Sequence, residues 1–132
     1  MCWMGFHRDL KGSMNSIKDF LESLGGLHDS CVEKIVWQPS EGIFEFHFND
    51  LYWNFEGMPE YPGPKPGTIV FREVEQVRFE FDSSVSVLNV DEFSAQIEDD
   101  GKLMAKVKFW PSGSIAFAFK SSKYPENELL KK

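Results

Sequence analysis

Glu45, His47, Tyr52, Asn54 and Glu56 have side chains of the types that general acid–base chemistry uses: an imidazole that titrates near neutrality, a phenol, an amide and two carboxylates. Their spacing matters because of the apolar residues between them. Phe44, Phe46 and Phe48 fall on even numbers, and after Asn49-Asp50 the large apolar residues Leu51, Trp53 and Phe55 fall on odd ones. A two-residue hairpin loop at Asn49-Asp50 predicts Phe48 opposite Leu51, Phe46 opposite Trp53 and Phe44 opposite Phe55. His47 then faces Tyr52 and Glu45 faces Asn54 on the other side of the ribbon, with Glu56 next along. No nucleophile or oxyanion-stabilising group accompanies the set. An ordinary solvated sheet face carries the same residue types, and that is the preferred reading. No catalytic residue is assigned, and the chain is expected not to be an enzyme.

Three further groups are candidates. His28-Asp29 precedes the first strand, but adjacent residues of an extended segment point to opposite sides and share no ion without a turn. His28 as an anchor of the helix-to-strand corner, with Asp29 and Ser30 capping local backbone donors, is preferred. No familiar ligand spacing joins the histidines, so neither a metal nor a cofactor is expected. The breaker stretch from Gly57 to Gly67 holds four prolines and Tyr61, and reads equally as a stiff crossover and as a preorganised recognition loop. Residues 73–100 concentrate acids, among them Glu98, Asp99 and Asp100, whereas residues 102–123 hold lysines and no acid. Cross-strand balance explains this, with Glu98 facing Lys102; an acidic edge that steers a basic protein is the sharper alternative.

These groups must sit on a β scaffold. Met14, Ile17, Leu21 and Leu24 recur at helical spacing over 13–24, and Gly25-Gly26 supplies a left-handed stop. Strands follow: 30–38, apolar on both faces and so expected to be covered on both; the 44–55 hairpin; 68–74 and 76–82, with a bulge near Glu73–Gln76; and 85–90. Phe93/Ala95/Ile97, Leu103/Ala105/Val107/Phe109 and Ile115/Phe117/Phe119 alternate most cleanly. Three-residue loops at Asp99-Asp100-Gly101 and Pro111-Ser112-Gly113 pair Ile97 with Leu103, Phe93 with Val107, and Phe109 with Ile115. The expected fold is mainly β: an antiparallel meander of about seven to nine strands, curled or partly closed, with one N-terminal helix packed on it. A single domain spans 1–132, with 1–12 loose and 121–132 a polar surface tail.

Bulk properties narrow the partners. The 132 residues suit one domain with a real core, and 13 Phe with 4 Trp suggest a core of rings. The net charge of −7 argues against nucleic acid and anionic membrane, which need clustered Lys and Arg. No apolar run is long enough for a membrane span. Cys2 and Cys31 without framework spacing point to free thiols in a reducing, cytoplasmic setting.

The run Leu27-His28-Asp29-Ser30-Cys31-Val32, followed by strands and closing on Trp110-Pro111-Ser112-Gly113-Ser114-Ile115, resembles small, acidic, β-rich bacterial immunity-type proteins of polymorphic toxin systems and their uncharacterised relatives. The resemblance spans residues 27–120 in pattern and excludes the helix and the proline loop. It implies a binder that neutralises a toxin by direct contact, with His28 and Asp29 as family landmarks of no assigned chemical role. The leading expectation is therefore a non-enzymatic protein-binding module for a basic partner, using Glu45, His47, Tyr52, Asn54, Glu56, Tyr61, Glu98, Asp99 and Asp100. The alternative is a carrier of a small apolar ligand inside an aromatic-lined curled sheet. Exposed edge strands also make a homodimer an expectation.

Overall fold

In this computed structural model, residues 17–82 and 87–126 are described. The expectations for 1–12, for the start of the helix, for Cys2 and for the end of the tail lie outside them. Helix α1, of which residues 17–23 are described, buries Ile17, Phe20 and Leu21, with Leu24 just beyond, as the three-and-four spacing predicts. Gly25 and Gly26 adopt φ of 67° and 69° and end it.

Eight antiparallel strands form two sheets: β1 (Val32–Gln38), β2 (Ile43–Phe48), β3 (Gly67–Arg72), β4 (Glu75–Glu80), β5 (Asn89–Ile97), β6 (Leu103–Trp110), β7 (Ser114–Phe119) and β8 (Ser121–Lys123). One sheet runs β1-β2-β3-β8 and the other β4-β7-β6-β5. Strand β3 bends into β4 while β7 bends into β8, and the two bent strands stay paired through both sheets. The bend carries the expected bulge, with Glu73 and Gln76 at positive φ and a register shift between Glu75 and Arg78. At the opposite edges the sheets meet through a single bridge, Cys31 to Asn89, flanked by the Val32 N–H donating to Leu88 O at 2.9 Å and the Val90 N–H donating to Ser30 O at 2.8 Å. The sheets are joined at two edges but do not close.

Rings fill the space between them. Phe44 stacks on Phe117 with centroids 5.1 Å apart, Phe46 meets Phe93 edge-on at 5.1 Å, and Phe71 meets Phe117 edge-on at 4.9 Å. Each such pair adds about 0.5–1.5 kcal/mol beyond area burial. These contacts run from one sheet to the other, so the interior that a carried apolar ligand would need is occupied by side chains.

Several sequence expectations are corrected. There is no hairpin at Asn49-Asp50: β2 pairs with β1 and β3, and Trp53–Phe55 is a short 3-10 turn. Phe46 is fully buried and Trp53 is 44% exposed, so they do not share a face. The Asp50 carboxylate accepts the Tyr52 N–H at 3.0 Å, an Asx turn that removes Tyr52 from any ladder. Strand β1 is an edge strand, largely exposed and not covered on both faces. In the β6–β7 hairpin Val107, not Phe109, faces Ile115. The loop lies one residue earlier than expected, closed by the Phe109 N–H donating to Gly113 O at 2.9 Å. Residues 121–123 are strand β8 and not tail, and Tyr124 after them stacks on Phe20 at 4.3 Å. The β5–β6 hairpin matches its expectation, with Ile97 facing Leu103 and Phe93 facing Val107. Its facing charges do not pair: Lys102 Nζ donates to Gln76 and Glu98 accepts from Gln96.

Candidate functional site

The residues expected on one hairpin face are dispersed. Glu45 and His47 do lie together on the outer face of β2, each 30% exposed, with His47 Nε2 2.9 Å from Glu45 Oε1. In the neutral ring Nε2–H donates to that carboxylate and the Thr68 hydroxyl donates to Nδ1 at 3.1 Å. Both ring nitrogens are thus hydrogen-bonded within the outer face of the sheet. Tyr52 is buried, its hydroxyl donating to Glu126 O at 3.3 Å. Asn54 is folded against Gly25, so near that a Cβ there would overlap its amide nitrogen. Glu56 is exposed beyond the 3-10 turn. Among the described residues no three His, Cys, Asp or Glu side chains converge on a metal position, and no helix is long and apolar enough to cross a membrane.

The proline loop is held by a buried carboxylate that alternation alone does not reveal. Asp50 is buried; its Oδ1 accepts the N–H groups of Tyr52 at 3.0 Å and Lys65 at 3.1 Å, and its Oδ2 accepts the Tyr61 hydroxyl. Buried Ser30 donates to the Asp50 carbonyl at 2.8 Å. Donation to the Asp50 carboxylate, reinforced by burial and by nearby negative charge, pushes the Tyr61 phenol from 10.0 up to about 12. A raised pKa means the neutral form is favoured in the fold. The stability linked to it is complete below about pH 10 and is lost as pH rises through about 12. Ultraviolet titration is expected to show a late-ionising tyrosine step that Tyr61→Phe removes; a titration curve whose late amplitude is unchanged in Tyr61→Phe refutes the assignment.

His28 and Asp29 form the corner between the helix and β1. His28 Nδ1 is 2.9 Å from Asp91 O, and this hydrogen bond holds the imidazole above its ordinary range. Its Nε2 is 3.6 Å from Asp29 Oδ1, and the Asp29 N–H donates to Val90 O at 2.8 Å. These contacts tie the two sheets at the bridged edge. Glu98, Asp99 and Asp100 are exposed at a hairpin tip, where Asp100 accepts the Lys102 N–H at 3.0 Å.

The surface feature with the strongest physical signature was not among the expected site residues. The two openings of the unclosed structure are covered differently. One is closed by α1, where Phe20 meets Tyr124 and where the helix faces Phe93–Ala95 across a groove of about 260 Å³. The other lies between the end of β1 and strand β4, and among the described residues only side chains cover it. Trp37, the penultimate residue of β1, sits 6.0 Å from Phe44 and 5.4 Å from Phe79. Phe81 continues the row 6.4 Å from Phe79 and stacks on Phe109 at 5.8 Å. Gly113 permits this, since a Cβ there would lie 2.5 Å from the Phe81 ring. Trp37, Phe79 and Phe81 remain 42%, 42% and 40% exposed.

Among the described residues strand β4 pairs with β7 alone, and every residue in it except Val77 is exposed. Along the chain Glu73, Glu75, Glu80 and Asp82 flank the row with Arg78 among them, while Lys102 reaches Gln76 and Lys106 and Lys108 share a groove with Glu80. Glu73 is 3.8 Å from Lys120, Glu80 accepts from Ser114 and Asp82 from Ser112. The sequence signal available was Trp37 at a strand end and Phe79/Phe81 in an alternating run with no local partner. No protein-family model matches this chain, and no curated protein matches it.

Proposed function

We propose that this chain is a non-enzymatic protein-binding module that grips a basic protein through the Trp37–Phe79–Phe81 ledge. The observation that carries the reading is three large rings in one contiguous row, each about two-fifths exposed, beside an unpaired strand edge. Contiguous exposed aromatic surface is unfavourable in water unless something covers it, and aromatic anchors dominate binding energy at interfaces. The surrounding acids and the net charge of −7 select a basic partner and disfavour nucleic acid. An immunity role, with the partner a toxin held inactive by contact, is the cellular form that the sequence resemblance implies. A reducing, cytoplasmic setting goes with it, and the half-buried Cys31 is a free thiol.

Affinity capture from the native cell, followed by titration of the captured protein, tests the reading. Trp37→Ala with Phe79→Ala is expected to weaken binding by about 2 kcal/mol, roughly 30-fold, and added salt to weaken it further. A folded double variant that binds the same protein with unchanged affinity refutes the ledge.

A further inference from the structure

We infer that the partner is bound by strand addition: an extended segment alternating basic and apolar residues pairs with the free edge of β4, an inference that rests on the ledge reading above. Pairing with β7 uses the groups on one side of β4, and no other backbone hydrogen bond reaches Glu75–Glu80 among the described residues. An antiparallel strand directs alternate N–H and C=O groups to each side, so the far side presents a row of unpaired donors and acceptors. The bulge between Glu75 and Arg78 blunts the start of this edge. From Arg78 to Glu80 the ladder with β7 is regular, and this stretch offers a straight template.

The side chains decide what the template takes. Phe79 and Phe81 point to the ring-bearing side with Trp37, while Arg78, Glu80 and Asp82 have the opposite parity. A segment laid along this edge places every second residue beside Trp37 and Phe79, where apolar side chains gain burial. The residues between lie on the face of Arg78, Glu80 and Asp82, where lysine or arginine gains charge complementarity toward Glu80 and Asp82 and not beside Arg78. Recognition of this kind takes affinity from the main chain and specificity from the alternation.

The probe is a synthetic peptide of about eight residues alternating lysine and valine, a typical strand length. Three controls accompany it: the glutamate–valine counterpart, a version N-methylated on alternate residues along the pairing edge, and Trp37→Ala protein. Amide exchange by nuclear magnetic resonance is expected to slow about tenfold at alternate positions through Arg78–Glu80. N-methylation and Trp37→Ala are each expected to weaken binding about tenfold, and the acidic peptide not to bind. Equal binding of the N-methylated peptide overturns strand addition. So does failure of the basic peptide while a captured partner still depends on Trp37; in both cases the ledge reading stands. Alternate protection already present without peptide and lost on dilution means that a second copy of the chain occupies the edge, which also overturns the proposal.

Discussion

Phe46→Ala is expected to cost about 4 kcal/mol of folding stability, measured as a fall in denaturant midpoint at unchanged slope. The ring is fully buried and lies within 6.4 Å of the centroids of Phe44, Phe48, Phe71, Phe93 and Phe117, which come from both sheets. Removing it leaves a cavity in the middle of the ring stack that neither sheet can close without losing contacts on its own side. A domain has only about 5–15 kcal/mol to lose, so the variant is marginal. Trp53→Ala is the matched control. A hairpin pairing Phe46 with Trp53 makes both truncations severe, whereas the exposed 3-10 turn makes the Trp53 change cost under about 1 kcal/mol. Comparable losses at the two positions contradict the strand order described here.

Asp50→Ala is expected to cost about 3 kcal/mol and to free the proline loop. The carboxylate satisfies the Tyr52 and Lys65 N–H groups and the Tyr61 hydroxyl, and alanine leaves all three without that acceptor. Hydrogen bonds to a charged group contribute about 1.5–3 kcal/mol each, and relaxation of the exposed loop toward water recovers part of the loss. Asp50→Asn keeps an oxygen for the two N–H groups and loses the acceptor for Tyr61, so about half the effect is expected. Limited proteolysis between Gly57 and Gly67 reports the loop directly: cleavage accelerates in the alanine variant while β1–β2 stays intact. An alanine variant as stable and as protease-resistant as the parent removes Asp50 from this role.

The parts of the fold that were legible in the sequence are those fixed by local chemistry. Gly101 at φ 87° supports the three-residue loop that pairs Ile97 with Leu103, and Gly25-Gly26 ends a helix whose buried residues follow the three-and-four spacing. The Glu73–Gln76 irregularity appeared as a phase slip because a bend must break alternation. The β6–β7 register was not fixed by alternation, since a shift of two residues leaves every side chain on its original face. The run from Leu51 to Phe55 alternates like a strand, but the Asp50 carboxylate captures the Tyr52 N–H and starts a turn. The true neighbour of β2 arrives only after the proline loop. Of the candidate surface, Trp37, Phe79 and Phe81 read as ordinary inward positions. Their exposure follows from sheets that stop short of closing, and no window of sequence around them encodes that.

The ribbon that bends from one sheet into the other also sets the timetable of folding during synthesis. Among the described residues strand β4 finds its one ladder partner in β7, whereas β3 already pairs with β2, so residues 75–80 wait for 114–119 while β5 and β6 are still being made, and the outer edge of β3 waits for β8. At about 5–20 residues per second the wait lasts seconds, during which Phe79 lacks its sheet and β3 and β4 have bare edges. Non-local pairing of this kind makes folding a late, whole-chain event, and a ribosome that stalls before Ser114 releases a nascent chain predisposed to aggregate.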